Sequence, residues 1–155
     1  MALFFACDHG VKQEFDLSNI PSDWVNLTKT DSGLIVFNSC DMGNQLIKLA
    51  KNQTNYELLL HGTQEDYDFH VLSTTLLEKD TILINAQWKC SDMKQDFKFV
   101  WLDEPKGIGN WITTYESGYK SDEIFVTEEK EINFPTFDQP NVECWGEEEG
   151  DEDEE

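Results

Sequence analysis

Ile82-Leu83-Ile84-Asn85-Ala86-Gln87-Trp88-Lys89, then a polar break at Ser91-Asp92-Met93-Lys94-Gln95-Asp96, then Phe97-Lys98-Phe99-Val100-Trp101-Leu102: this stretch decides the fold of the 155-residue chain. Ile82, Ile84, Ala86 and Trp88 share one face of an extended segment, and Phe97, Phe99 and Trp101 share one face of the next. Successive side chains of a strand point to opposite faces, so this period builds one face for a core and the other mostly for water. Two such strands joined by a short polar run form an antiparallel hairpin.

The pattern continues outward in both directions. Upstream, residues 34–39, 45–50, 56–61 and 69–77 read as strands. Their connectors are Asp31-Ser32-Gly33, Asp41-Met42-Gly43-Asn44, Lys51-Asn52-Gln53 and residues 62–66. Downstream, Lys106-Gly107-Ile108-Gly109-Asn110 turns the chain into a strand at 111–115, and 124–126 adds one more. A helical period is absent beyond a turn at 19–23. Eight or nine strands spaced by about 8–12 residues predict an all-β domain, a single antiparallel meander closed as a barrel or folded as a sandwich.

The length suits one domain. Its boundaries are set by changes in character: a signal remnant and tether over 1–17, the β domain over 18–127, and an extended segment over 128–146 that loses alternation and carries Pro135 and Pro140. A tail follows over 147–155, Glu147-Glu148-Glu149-Gly150-Asp151-Glu152-Asp153-Glu154-Glu155. It has no apolar residue to bury and is expected to be disordered and self-repelling.

The net charge is −21, from 11 lysines against 32 acids. Setting aside the eight acids of 147–155 leaves 24, and a net charge of −13, so the acidity belongs to the domain as well. A field of this sign repels nucleic-acid phosphates and anionic membrane surfaces, which excludes nucleic acid as a partner. Every cation is lysine, so the planar guanidinium fork that grips phosphate or carboxylate bidentately is missing.

At the N-terminus, Leu3-Phe4-Phe5-Ala6-Cys7 precedes the polar Asp8-His9-Gly10. It resembles the end of a bacterial lipoprotein signal, where an apolar run closes on a small residue before a cysteine that becomes lipid-modified. The resemblance implies lipidation at Cys7 and a cell-envelope location, with the membrane reached only through the lipid; a start upstream of Met1 would supply the cationic region and longer apolar run of such signals. The other reading makes residues 3–6 a buried first strand and Cys7 a core thiol, with a cytoplasmic location.

With Cys7 set aside, Cys40, Cys90 and Cys144 remain. Cys40 closes the strand at 34–39 and Cys90 ends the one at 82–89, which makes this pair the disulfide candidate in an oxidising compartment; in a reducing one all three stay thiols. Neither CxxC nor Cys/His ligand spacing occurs, so neither a metal site nor a cofactor is expected.

The histidines offer no catalytic grouping. His9 lies in the tether, His61 ends a strand, and His70 alternates with Phe69 and Val71 and so faces solvent. Glu65-Asp66-Tyr67-Asp68 reads as an acidic turn without the spacing of a calcium loop. The chain is therefore read as non-enzymatic. Asn26-Leu27-Thr28 and Asn52-Gln53-Thr54 match glycosylation acceptors, which matter only in a eukaryotic secretory pathway.

The aromatics point further. Trp24, Tyr56, Phe69, Trp88, Phe97, Phe99, Trp101 and Trp111 are spread over most of the strands. A barrel of about eight strands is just wide enough for its side chains to fill it or to hold one small ligand. With Ile20-Pro21-Ser22-Asp23-Trp24-Val25-Asn26-Leu27 on the first strand, the succession of strands over 18–127 and the lipobox, the chain resembles the lipocalin-like barrels of bacterial envelope lipoproteins. It departs from their Gly-x-Trp pattern in having Ser22 two residues before Trp24.

The resemblance implies a small hydrophobic ligand, or a structural role, with Trp88, Phe97, Phe99, Trp101 and Trp111 as candidate ligand-binding residues. The alternative from a different class is a soluble acidic interaction or inhibitor protein of immunity type. Such a protein would meet a basic protein partner by electrostatic steering.

Overall fold

In a computed structural model that describes residues 13–41, 43–62, 65–77, 80–140 and 144, the alternating segments become ten strands. They are β1 (Asp23–Thr30), β2 (Gly33–Asn38), β3 (Leu46–Asn52), β4 (Asn55–His61), β5 (Asp66–Leu76), β6 (Ile82–Trp88), β7 (Lys94–Asp103), β8 (Ile108–Thr114), β9 (Lys120–Thr127) and β10 (Thr136–Asp138). Strands β3 to β9 pair each with the next, all antiparallel. The ring closes through β1, which pairs with β3 from Asp23↔Lys48 to Val25↔Leu46 and with β9 from Trp24↔Thr127 to Leu27↔Ile124. The fold is thus a closed eight-stranded antiparallel barrel, lipocalin-like, and not a sandwich.

Several polar stretches expected as connectors lie within strands. Asp66, Tyr67 and Asp68 open β5, Lys94 to Asp96 open β7, and Gly109 sits in β8, because a strand between two partners continues through polar residues as long as its ladder is satisfied. Gly109 is required there: a Cβ at this position would run into the Phe99 ring and come within 3.0 Å of Trp24 Cζ3.

Two cores follow from the pleat. Inside the barrel, Trp24, Ile47, Leu58, Phe69, Ile82, Ile84, Ala86, Phe97, Phe99, Trp111 and Phe125 form one buried cluster. Trp24, Phe99, Trp101 and Trp111 stand at its centre, with ring centroids of neighbouring pairs 5.0–5.9 Å apart. The Trp24 indole N–H donates to the Pro21 carbonyl at 2.8 Å. On the other face of β1 and β9, Val25, Leu27 and Val126 pack under Val36 of β2. This second core explains why Trp24-Val25 and Phe125-Val126 are apolar at consecutive positions: there both faces of the sheet are covered.

The outer cover is strand β2 together with the C-terminal segment. Strand β2 pairs with the far half of β1, from Thr28↔Ile35 to Thr30↔Gly33. The segment after β9 makes a 3-10 helix over Glu128–Asn133, then pairs β10 in parallel with β2 from Thr136↔Val36 to Asp138↔Asn38. Phe37 and Phe137 stack at 5.7 Å. The expected extended segment of 128–146 is therefore bound to the domain over 128–138.

One cysteine pairing differs from expectation. Cys40 is bonded to Cys144, Cα–Cα 6.3 Å apart, while Cys90 is an exposed free thiol. The candidate pair Cys40–Cys90 is thus corrected, because β10 carries the C-terminal segment alongside β2 and past Cys40.

The expected tether also ends earlier than residue 17. Gln13 bridges Leu76, the Thr74 hydroxyl donates to the Phe15 carbonyl, and Leu17 and Ile20 enter the barrel core from a short 3-10 helix over Leu17–Asn19. Residues 13–20 thereby plug the end of the barrel formed by the start of β1, the β3–β4 turn and the end of β5. Asp16 fastens the plug: it accepts from the Tyr56 hydroxyl at 2.5 Å and from the Ser18 N–H at 3.0 Å. These bonds, the Tyr56 one first, lower its pKa from 3.8 to about 2. A carboxyl depressed in the folded state adds stability above its unfolded pKa and loses it as pH falls through the folded value. The fastening is therefore expected to be intact above pH 4 and lost towards pH 2. Carbon-detected NMR titration of Asp16 should give an apparent value well below the ordinary range in the native chain and a higher one in Tyr56→Phe; identical values would refute the Tyr56 bond.

Candidate functional site

The end opposite the plug is open. There the inward rows of β8 and β9 run side by side in register, Trp111↔Glu123 and Thr113↔Ser121, with Gly109↔Phe125 below them. Residues directly opposite in an antiparallel pair point to the same face, so Glu123 and Ser121 face the interior with Trp111 and Thr113. Gln45 just before β3, Ile47 near its start and Leu60 near the end of β4 complete the wall, around a cavity of about 150 Å³. Its deep part is apolar, made by Ile47, Trp111 and Phe125; its upper part is polar, made by Gln45, Thr113, Ser121 and Glu123.

Tyr115 and Tyr119 form the rim. The Tyr115 N–H donates to the Tyr119 carbonyl at 2.9 Å across the β8–β9 turn, and the two rings lie 5.6 Å apart. Loss of hydration pushes the Tyr115 phenol above its ordinary pKa, and the nearby Glu123 carboxylate, Tyr119 and Tyr67 push it in the same direction. Tyr67 in turn packs against Trp88 at 5.8 Å. Two polar groups here are left without a protein partner. Trp111 is 1 % exposed and its indole N–H makes no hydrogen bond, and among the described residues no cation pairs with Glu123.

The five aromatic residues proposed from sequence do not form one site. Only Trp111 lines the cavity. Phe97 and Phe99 are fully buried packing residues, Trp101 belongs to the ring cluster around Trp24 towards the plugged end, and Trp88 flanks the mouth beside Tyr67. Sequence reading missed Glu123, Ser121, Thr113, Gln45, Leu60 and the two rim tyrosines. Cys7 lies outside the described residues.

Among the described residues, the two histidines sit in surface pairs. His61 meets Asp66 in an exposed pair; His70 is exposed and lies 3.9 Å from Glu57, whose carboxylate is held below its ordinary pKa chiefly by the Lys89 ammonium at 2.9 Å. Among the described residues no three His, Cys, Asp or Glu side chains group to hold a metal ion, and no helix is long and apolar enough to cross a membrane. No protein-family model, curated protein or solved structure matches this chain.

Proposed function

We propose that this chain is a non-enzymatic, lipocalin-like binding protein of the cell envelope, tethered by a lipid on Cys7, which holds a small ligand in the open mouth of its barrel. The observation that carries the binding reading is the inward-facing cavity over Ile47, Trp111 and Phe125, in a barrel whose other end is plugged. A cavity of about 150 Å³ has room for a molecule the size of benzene, here above an apolar floor and beside a polar upper wall. The envelope location is supported by Leu3-Phe4-Phe5-Ala6-Cys7 and by the Cys40–Cys144 disulfide, a bond that persists in oxidising compartments.

The test has one readout for each half. Benzyl alcohol titrated into the ¹⁵N-labelled domain should shift amides of Leu60, Thr113 and Ser121 with a dissociation constant on the order of 1 mM, and Ser121→Phe, which fills the mouth, should abolish the shifts. An unshifted spectrum sinks the binding reading. Expressed in bacteria from its natural start, the protein should partition into detergent, and Cys7→Ser should move it to the aqueous phase; equal partitioning of both sinks the anchor.

A further inference from the structure

The chemistry of the mouth defines its guest more narrowly than size does. Glu123 is half-buried, faces the interior opposite Trp111, and meets no lysine among the described residues. A carboxylate on the inner wall of a half-open cavity, with no counter-charge beside it, sets up a local negative field that attracts a cation. Tyr115 and Tyr119 line the rim above it, aromatic residues of the type that can attract ammonium groups. Below it, Phe125 and Ile47, both nearly fully buried, form an apolar floor. The Trp111 N–H, on the residue paired with Glu123 across β8 and β9, is buried and no protein atom satisfies it.

We propose that the barrel mouth selects a small organic ammonium ion: a protonated amine seated against Glu123, with an apolar body of about benzene size resting on Phe125 and Ile47. The inference rests on the cavity being a binding site and adds the charge of what enters it. Anionic guests of the same shape are turned away by Glu123 and by a chain of net charge −21.

Three isosteric probes separate charge from shape: benzylamine, benzyl alcohol and benzoate, each titrated into the full-length protein and followed by the amide shifts of Thr113 and Ser121. Benzylamine is expected to bind about tenfold more tightly than benzyl alcohol, with benzoate weakest. Glu123→Gln, nearly the same shape, should bring the amine-to-alcohol affinity ratio close to one. Equal affinity for amine and alcohol in the native protein, or a preference that survives Glu123→Gln, overturns the cation selection and leaves the binding reading standing. Failure of all three probes to shift the mouth overturns both. The comparison of probes on the native chain needs no variant, and thermal unfolding of Glu123→Gln verifies that its fold is kept.

Discussion

Trp24→Ala is expected to destabilise the domain by about 3–5 kcal/mol, read as a fall in the urea midpoint at unchanged slope. Trp24 is 1 % exposed and touches Phe99, Trp101 and Trp111 at centroid distances of 5.0, 5.3 and 5.9 Å. It also anchors the strand through which the ring closes: β1 meets β3 and β9 within Asp23 to Leu27. Removing the indole leaves a void beneath the closure that three neighbouring rings cannot fill without leaving their own rotamers, and it abandons the Pro21 carbonyl. Since a domain of this size has about 5–15 kcal/mol in total, the variant should sit near its unfolding threshold at 25 °C. Trp24→Phe keeps most of the contact and should cost less than half as much. A loss below about 1 kcal/mol for alanine would show that the barrel base repacks freely and that the ring cluster does not hold β1 in place.

The barrel could be read in the sequence where one face of a strand is apolar and the other wet. Ile82 to Trp88 and Phe97 to Trp101 announce their pleat, and the structure buries the faces that the alternation marks. It could not be read where both faces have the same character. In Lys120-Ser121-Asp122-Glu123, inward and outward residues are all polar, so the part of β9 that builds the mouth has no period to detect. Glu123 becomes distinctive only through its register opposite Trp111, a long-range pairing that no local pattern encodes. The same limit applies to the second core: Val25, Leu27 and Val126 look like ordinary strand residues, and the outer cover that buries them is made by β2 and by Phe134, which follows the last barrel strand. Gly109 illustrates the opposite error, since a glycine between Ile108 and Asn110 looks like a turn but is a strand position cleared for the Phe99 ring.

The double variant Cys40→Ser with Cys144→Ser is expected to lose about 2–4 kcal/mol, and the reason lies mostly in the unfolded chain. The bond spans 104 residues, nearly the whole barrel, and closing a loop of about 100 residues removes about 4.7 kcal/mol of unfolded-state entropy on the chain-entropy account, an upper figure that measured bridges often fall short of. The folded state adds a local effect. Strand β10 is three residues long and holds to β2 through the Val36 N–H on the Pro135 carbonyl, the Gln139 N–H on the Asn38 carbonyl, the Asn38 amide on Asp138 and the Phe37–Phe137 stack. So short a parallel pair frays unless its far end is tied, and the tie at Cys144 lies five residues beyond Gln139. Without it, exchange of the Val36 and Gln139 amides should accelerate more than that of the barrel amides, while the lower global stability appears in the denaturant midpoint. Exposed Cys90 makes the double variant preferable to either single one, because a lone Cys40 or Cys144 thiol would have a free cysteine to exchange with. Peptide mapping of the native protein under non-reducing conditions should join the peptides of Cys40 and Cys144 and leave Cys90 open to alkylation. A Cys40–Cys90 crosslink in that map, or a double variant as stable as the native chain, would refute the pairing, and with it the role of the C-terminal segment as a covalent clasp over the outer core.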